Sequence, residues 1–380
     1  MAFNFDESID RRHSDSVKWR KYSEQNIIPL WVADTDFRSP PCVINALQER
    51  IAHGVFGYGV APQELIAVFI ARMRDHYRWD VQPEWLVFLP GVVSGLHLTV
   101  RALAQREQDV IIPAPIYPPF RSAARQTGTK PVLAPMVLQD NRWRLDLNSA
   151  ENAMTGREKL LLLCNPHNPG GTVYRQAELE QQLAFAQRHD LLVCSDEIHC
   201  ELLLEPGLRH IPFATLSADA AQRSITLMSP SKTFNIAGLG ASLAIIPDAR
   251  LRTRFISQRN GLVPNVDILA YVAATAAWRD GQPWLDEQLT YLRGNRDWLT
   301  RQINGLPGLS MVPPEATYLA WIDASGLGQE NPQHFFEQAG VGLSAGADFG
   351  DAQFVRLNFG CPRALLEQAV ERMARAIKAG

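Results

Sequence analysis

Leu160-Leu161-Leu162-Leu163-Cys164-Asn165-Pro166-His167-Asn168-Pro169-Gly170-Gly171 is an apolar run that ends in two Asn-Pro steps and a glycine pair. Apolar residues in succession, without alternation, read as a strand covered on both faces. A residue before proline is pushed out of the helical region, so the run stops in an extended turn. A helical pattern follows at Gln176–His189, with Leu179, Leu183 and Ala186 on one side, and then a second apolar run at Leu191–Cys194. Strand, helix and strand in that order indicate an α/β domain with a largely parallel sheet.

The same alternation extends outward from about residue 85 to 245, with further strands expected at Leu86–Leu89, Asp109–Ile112 and Ile225–Met228. Near Asp280-Gly281-Gln282-Pro283 the pattern changes. Pro283 suits the first turn of a helix, and Leu285, Leu289, Leu292, Leu299 and Ile303 keep helical spacing. This long helix leads into a smaller α/β C-terminal domain with strands near Tyr318–Ile322 and Phe354–Phe359 and a closing helix, Arg363–Lys378. The first 40 or so residues read as an arm with one extended segment, Ile28–Val32. The expected division is an arm at 1–45 packing with the small domain, a large domain at 46–282, and the small domain at 283–380.

A chain of 380 residues, 46% hydrophobic and 20% charged, can bury a large core without disulfides or a structural metal. A net charge of −3 with no basic stripe argues against a nucleic-acid binder. The cysteines, Cys42, Cys164, Cys194, Cys200 and Cys361, are odd in number and form no C-x-x-C pair, which fits reduced thiols. The first residues are acidic where a signal peptide would be basic and then apolar. No apolar run reaches the length of a membrane span. The expectation is a cytoplasmic protein without membrane contact.

Five residue groups carry candidate chemistry. Of six lysines, Lys18, Lys21, Lys130, Lys159 and Lys378 stand among polar neighbours or near termini, whereas Lys232 follows an apolar strand in Ser229-Pro230-Ser231-Lys232-Thr233-Phe234-Asn235. A lysine buried at a strand's carboxyl end loses its charge, and a neutral amine attacks an aldehyde. The flanking hydroxyls suit a phosphate; a surface lysine in a polar turn is the alternative. The Asn-Pro turn stands where open α/β sheets bind ligands, and an amide there can donate to a ring oxygen, though a rigid turn with no ligand fits equally.

In Cys194-Ser195-Asp196-Glu197-Ile198-His199, two adjacent carboxylates end an apolar strand and need a cationic partner, such as a protonated pyridine nitrogen. A metal pair or a helix cap is the alternative, and no metalloprotease spacing supports the metal. Pro90-Gly91-Val92-Val93-Ser94-Gly95 joins a strand to a helix whose N-terminal N–H groups favour phosphate. No G-x-G-x-x-G or Walker motif occurs, which argues against dinucleotide and nucleoside-triphosphate enzymes. Arg356 interrupts the apolar Phe354–Phe359, and it demands either a substrate carboxylate or an internal salt bridge.

Together and in this order, these residues resemble the fold-type I pyridoxal-phosphate (PLP) enzymes, the aspartate-aminotransferase superfamily of class I/II. The resemblance covers essentially the whole chain. Pro29–Phe37, His53–Tyr58, Ser195–His199, Ser231–Ile236 and Val355–Pro362 look closest to the MalY/PatB-type C–S β-lyases, with His199 where ordinary aminotransferases usually carry tyrosine. The resemblance implies a PLP-dependent transferase-like fold: a three-layer αβα large domain with a mainly parallel sheet, plus the small α/β domain.

It also implies residue roles. Lys232 would bind PLP as a Schiff base and then serve as base and acid. Asp196 would pair with the pyridine nitrogen, Asn168 with the ring oxygen beside His199, and Tyr117 would stack on the ring. Ser229, Ser231 and the N–H groups of Val92 and Val93 would hold the phosphate, joined by Tyr58 from the neighbouring subunit of a homodimer. Arg356, with Tyr117 and Asn168, would bind the substrate carboxylate. One departure stands out: many members carry a phosphate-neutralising arginine eight residues after the lysine, where this chain has Gly240.

The implied activity is α,β-elimination on cystathionine or a related cysteine S-conjugate, giving a thiol, pyruvate and ammonia. An aminotransferase acting on an α-amino acid shares every cofactor contact and is the first alternative. A regulatory protein partner is the second, since members of this branch double as modulators of a transcription activator.

Overall fold

The protein is described from a computed structural model, which covers residues 3–104 and 108–379. Residues 1, 2 and 380, the outermost ends of the expected arm and small domain, lie outside the described residues.

An eight-stranded sheet organises the chain. In spatial order its strands are Leu86–Leu89, Ser242–Ile245, Ser224–Met228, Leu192–Asp196, Glu158–Cys164, Asp109–Ala114, Lys130–Gln139 and Arg142–Leu145. The neighbours from Ser224–Met228 through Lys130–Gln139 pair in parallel, and the pairings at the two ends of the sheet are antiparallel. Alternate residues of a central strand enter different cores: Leu160 and Leu162 join Val110, Ile112 and Ile225 on one face, while Leu161 and Leu163 join Ile111 and Val193 on the other. That two-sided burial is why the strands are apolar throughout. Truncating such a fully buried leucine to alanine costs about 2–5 kcal/mol.

Sequence expectation and structure agree closely at the centre of this sheet and diverge at its margins. Lys130–Gln139 was not expected as a strand, because Pro131 and Pro135 interrupt it. Both prolines lie in the stretch that pairs on one side only; the second neighbour begins at Met136. Ser242–Ile245 was also missed. It is four residues long and antiparallel to its neighbours.

The long helix spans Gln282–Asn304, with Pro283 in its first turn as expected. It leads to a four-stranded antiparallel sheet in the order Ser310–Met311, Leu319–Asp323, Phe354–Asn358, Ser344–Ala345. A 17-residue helix, Arg363–Ala379, closes the chain. The N-terminal segment crosses to this region, where Ile28 and Pro29 pair in parallel with Val341 and Gly342.

Residues 11–36 are more tightly built than an arm requires. Lys18 is fully buried, with Nζ 2.6 Å from Asp36 Oδ2. Arg11 pairs with Asp34 at 3.1 Å and Asp36 at 2.7 Å, and Trp19 Nε1 donates to Asp36 Oδ1 at 2.7 Å. The polar setting expected for Lys18 is therefore an internal ion pair. Its carboxylate lies eighteen residues further along the chain, beyond local pattern reading.

Candidate active site

Carboxyl ends of the large sheet's strands supply the site. Leu89 runs through Pro90 and Gly91 into a helix, Val92–Leu103, whose first N–H groups have no partner within the helix. Gly95 lets this helix sit hard on the sheet, because a Cβ there would lie 2.8 Å from Leu227 Cδ2. Asp109–Ala114 leads to Tyr117, the residue before the helix Pro118–Thr127. Glu158–Cys164 leads to the Asn-Pro turn, in which both peptides are cis. Asp196 ends its strand, and Ser224–Met228 leads to Lys232.

These ends surround a cavity of about 580 Å³ that includes Val92, Val93, Tyr117, Asn168, Asp196, His199, Ser231, Lys232 and Arg356. Most of the sequence-expected residues thus meet in one place. Two stand apart from the lining. Ser229 is one step back: its hydroxyl donates to the Ala241 carbonyl at 2.6 Å and accepts from the Ser231 N–H at 3.0 Å, shaping the turn that carries Lys232. Tyr58 is fully exposed, in an exposed run with Val55, Phe56 and Val60.

Lys232 is half-buried, and Nζ donates to the Ala33 carbonyl at 2.7 Å. Burial pushes its pKa down to about 8, Arg356 adds to the push, and Asp34 and Asp196 oppose it. The segment holding Ala33 is clamped from two sides. Asn235 exchanges hydrogen bonds with the backbone of Thr35 and donates to Phe37, and Asn358 donates to the carbonyls of Val32 and Asp34 at 2.6 Å.

The adjacent carboxylates part company. Glu197 turns away from the cavity and is satisfied by Ser195 Oγ, the Phe213 N–H and His210 Nε2 at 2.6 Å. Asp196 faces the cavity, accepts only the Ile198 N–H at 3.1 Å among the described residues, and is raised to about 7 by burial, with Glu197 adding to the shift. No group of ligating side chains that could hold a metal ion occurs among the described residues, so the metal alternative for this pair finds no support.

Arg356 is 5% exposed and has no carboxylate within ion-pair distance among the described residues. Nη1 donates to Asn168 Oδ1 at 3.0 Å; Nη2 donates to the Trp31 carbonyl at 2.9 Å and to Ser344 Oγ at 3.3 Å. Its Nε is buried without an acceptor, and its guanidinium lies 4.6 Å from the centroid of the Phe349 ring. Burial lowers its pKa to about 10. The internal salt bridge weighed from the sequence does not occur among the described residues. His199 is held neutral, lowered to about 3 chiefly by burial and then by Lys232 and Arg356; its Nδ1 has no partner. Burial raises the Tyr117 phenol.

Gly240 explains its own departure. It adopts φ +65°, and a Cβ would lie 2.8 Å from the Pro90 carbonyl oxygen, so a side chain is barred. The lining near the helix N-terminus carries Ser94 and Ser231 hydroxyls but no arginine. Trp31, Ala33, Ser344 and Phe349 escaped sequence reading. Trp31 and Ala33 act through backbone carbonyls, for which side-chain identity gives no signal.

The profile of aminotransferases of class I and II matches residues 25–373. The chain belongs to that family. Within it, cystathionine beta-lyase PatB of Bacillus subtilis (strain 168) is 38% identical, covering 98% of this chain and all of that protein. The crystal structure of OvoB is 64% identical over the full length of both chains, with a TM-score of 0.98. Cystalysin of Treponema denticola, whose structure contains pyridoxal 5'-phosphate, is 30% identical over the full length of both chains, with a TM-score of 0.95. No helix among the described residues is long and apolar enough to cross a membrane.

Proposed function

We propose that the protein is a pyridoxal-phosphate-dependent C–S β-lyase, cleaving cystathionine or a related cysteine S-conjugate to a thiol, pyruvate and ammonia. One observation carries the reading: half-buried Lys232 and buried Asp196 and Arg356 meet at one cavity, and none of the three makes a direct ion pair among the described residues. Buried charges are costly unless paired. Each of these side chains matches one part of a cofactor–substrate pair: an aldehyde carbon for the amine, a protonated ring nitrogen for the carboxylate, an α-carboxylate for the guanidinium.

The surrounding residues fit the same group. Tyr117 would lie on the ring face and Asn168, beside His199, at the ring oxygen. Ser231 and the N–H groups of Val92 and Val93 would take the phosphate, with Ser229 fixing the turn beneath. Bound there, the cofactor supplies an electron sink for a carbanion at the substrate Cα.

This chain's residues do the rest. Neutral Lys232 would be the amine that holds the cofactor, and with substrate bound its Nζ would be the base for the Cα proton, a role worth about 10²–10⁴-fold in rate. Asp196 in its anionic form would keep the ring nitrogen protonated. Arg356 would bind the substrate carboxylate and so orient the substrate at the same cavity as Lys232. A homodimer belongs to this reading, because exposed Tyr58 and its apolar neighbours would be covered by a second copy at whose phosphate site Tyr58 arrives.

The test is incubation of the cofactor-loaded protein with cystathionine and no 2-oxo acid. A lyase releases pyruvate and free thiol in equal amounts. An aminotransferase releases neither without an acceptor, and that outcome would replace this reading.

A further inference from the structure

We propose that Arg121, which stands outside the active-site lining, is a positioning residue: by holding the Phe349 carbonyl it keeps the Phe349 ring against Arg356 and so tightens binding of the substrate carboxylate. The inference rests on the proposed function at one point, the role of Arg356.

Arg121 lies in the helix Pro118–Thr127, one turn beyond Tyr117. It is half-buried and makes no ion pair among the described residues, and its Nε is buried without an acceptor. Its Nη2 donates to the Phe349 carbonyl, in the short helix Gly346–Phe349 that precedes the strand of Arg356. Gly350 permits this approach. It has φ +111°, and a Cβ there would lie 1.7 Å from Arg121 Nη2, so both its own backbone and the guanidinium require glycine.

The Phe349 carbonyl closes a circuit of contacts around the site. It accepts a second hydrogen bond, from the Ile116 N–H at 3.0 Å, and the next residue, Tyr117, donates its N–H to the Asn168 carbonyl at 3.2 Å. Asn168 Oδ1 accepts from Arg356 Nη1 at 3.0 Å, and the Arg356 guanidinium lies over the Phe349 ring, 4.6 Å from its centroid. Trp321 backs the same ring at 5.5 Å. Of the two donors to the carbonyl, Arg121 is the charged one and therefore the stronger. Phe349, 3% exposed, covers one side of the guanidinium and keeps water from it, which strengthens the attraction of Arg356 for a carboxylate. Without Arg121 the carbonyl keeps a single neutral donor, and that cover loosens.

The test is the affinity of the cofactor-loaded protein for L-alanine, read from the cofactor absorbance. Arg121→Met removes the donor and keeps the apolar stem; it should weaken L-alanine binding by roughly tenfold, and Arg121→Lys should recover part of the loss. Affinity of the apo-protein for pyridoxal phosphate should change by less than about twofold, since no ring or phosphate contact is touched. Phe349→Leu should weaken L-alanine binding to a similar degree, and in that background Arg121→Met should add nothing, because Arg121 acts through the ring. A merely structural role would lower cofactor affinity as well and would add to the Phe349→Leu loss. Either of those results, or an unchanged affinity for L-alanine in Arg121→Met, would overturn the proposal.

L-alanine has an α-carboxylate but no group to expel from Cβ, so its binding reports on Arg356 whether or not a C–S bond is cleaved. Non-additive losses with no pyruvate from cystathionine would support the role of Arg121 while removing the lyase assignment. Additive losses would remove the role of Arg121 even if pyruvate were formed.

Discussion

Replacing Arg356 by leucine should lower kcat/KM by roughly a hundred- to ten-thousand-fold and leave the ligand-free fold in place. The magnitude follows from its donors. A guanidinium has five N–H donors, and three are engaged, by Asn168 Oδ1, the Trp31 carbonyl and Ser344 Oγ. A carboxylate binds along one edge of the guanidinium, so it would take the buried, unpartnered Nε together with Nη2, displacing the long 3.3 Å bond to Ser344 Oγ. Hydrogen bonds to a charged group contribute about 1.5–3 kcal/mol each, so the pair is worth about 3–6 kcal/mol, at about 1.4 kcal/mol per tenfold. Stability should behave differently, because the substitution breaks no ion pair and removes a buried charge lacking a counterion. The melting temperature of the ligand-free variant should stay within about 4 °C of the parent. Arg356→Lys should recover only part of the rate, since it keeps the charge and loses the fork. Steady-state kinetics and a thermal scan of each variant suffice. A loss below about tenfold, or a collapse in melting temperature that accounts for the lost activity, would refute the reasoning.

Three other outcomes follow from the site. Because burial holds the Lys232 amine near 8 rather than 10.5, cofactor uptake by the apo-protein should quicken with pH and level off above about 8; a rate still climbing near 10.5 would contradict it. Asp196, raised from 3.8 to about 7, binds a proton in the folded state that the unfolded chain has released, so its contribution to ligand-free stability falls as pH rises through that window. Asp196→Asn should therefore be more stable than the parent above pH 7, by up to about 4 kcal/mol, with the gain vanishing near pH 3.8, as denaturant titration would show; a uniform loss of stability would oppose this. Gly240→Arg, which restores the family's arginine, should lower the melting temperature rather than tighten cofactor binding, because its Cβ would sit against the Pro90 carbonyl oxygen.

What could be read in the sequence depended on how local the physics was. The central strands announced themselves because both faces are buried, as Leu160–Leu163 illustrate, dividing between two cores. The marginal strand Lys130–Gln139 was concealed by prolines that its one-sided pairing tolerates. Lys232, Asp196 and Asn168 stood out because polar side chains end apolar runs. Arg356 stood out as a charge inside one, but only the folded structure shows that it has no carboxylate partner among the described residues. Lys18 misled because its partner is distant in sequence. The Ala33 and Trp31 carbonyls were invisible, since any residue supplies a carbonyl; the clamps from Asn235 and Asn358 make those two matter.

Borohydride reduction of the purified, cofactor-loaded protein, followed by peptide mass spectrometry, asks directly which amine holds the cofactor. A phosphopyridoxyl group on Lys232, with none on the Lys232→Ala protein, is the predicted result. The same label on another lysine, or on none, would contradict the convergence of amine, carboxylate and guanidinium on a single cofactor.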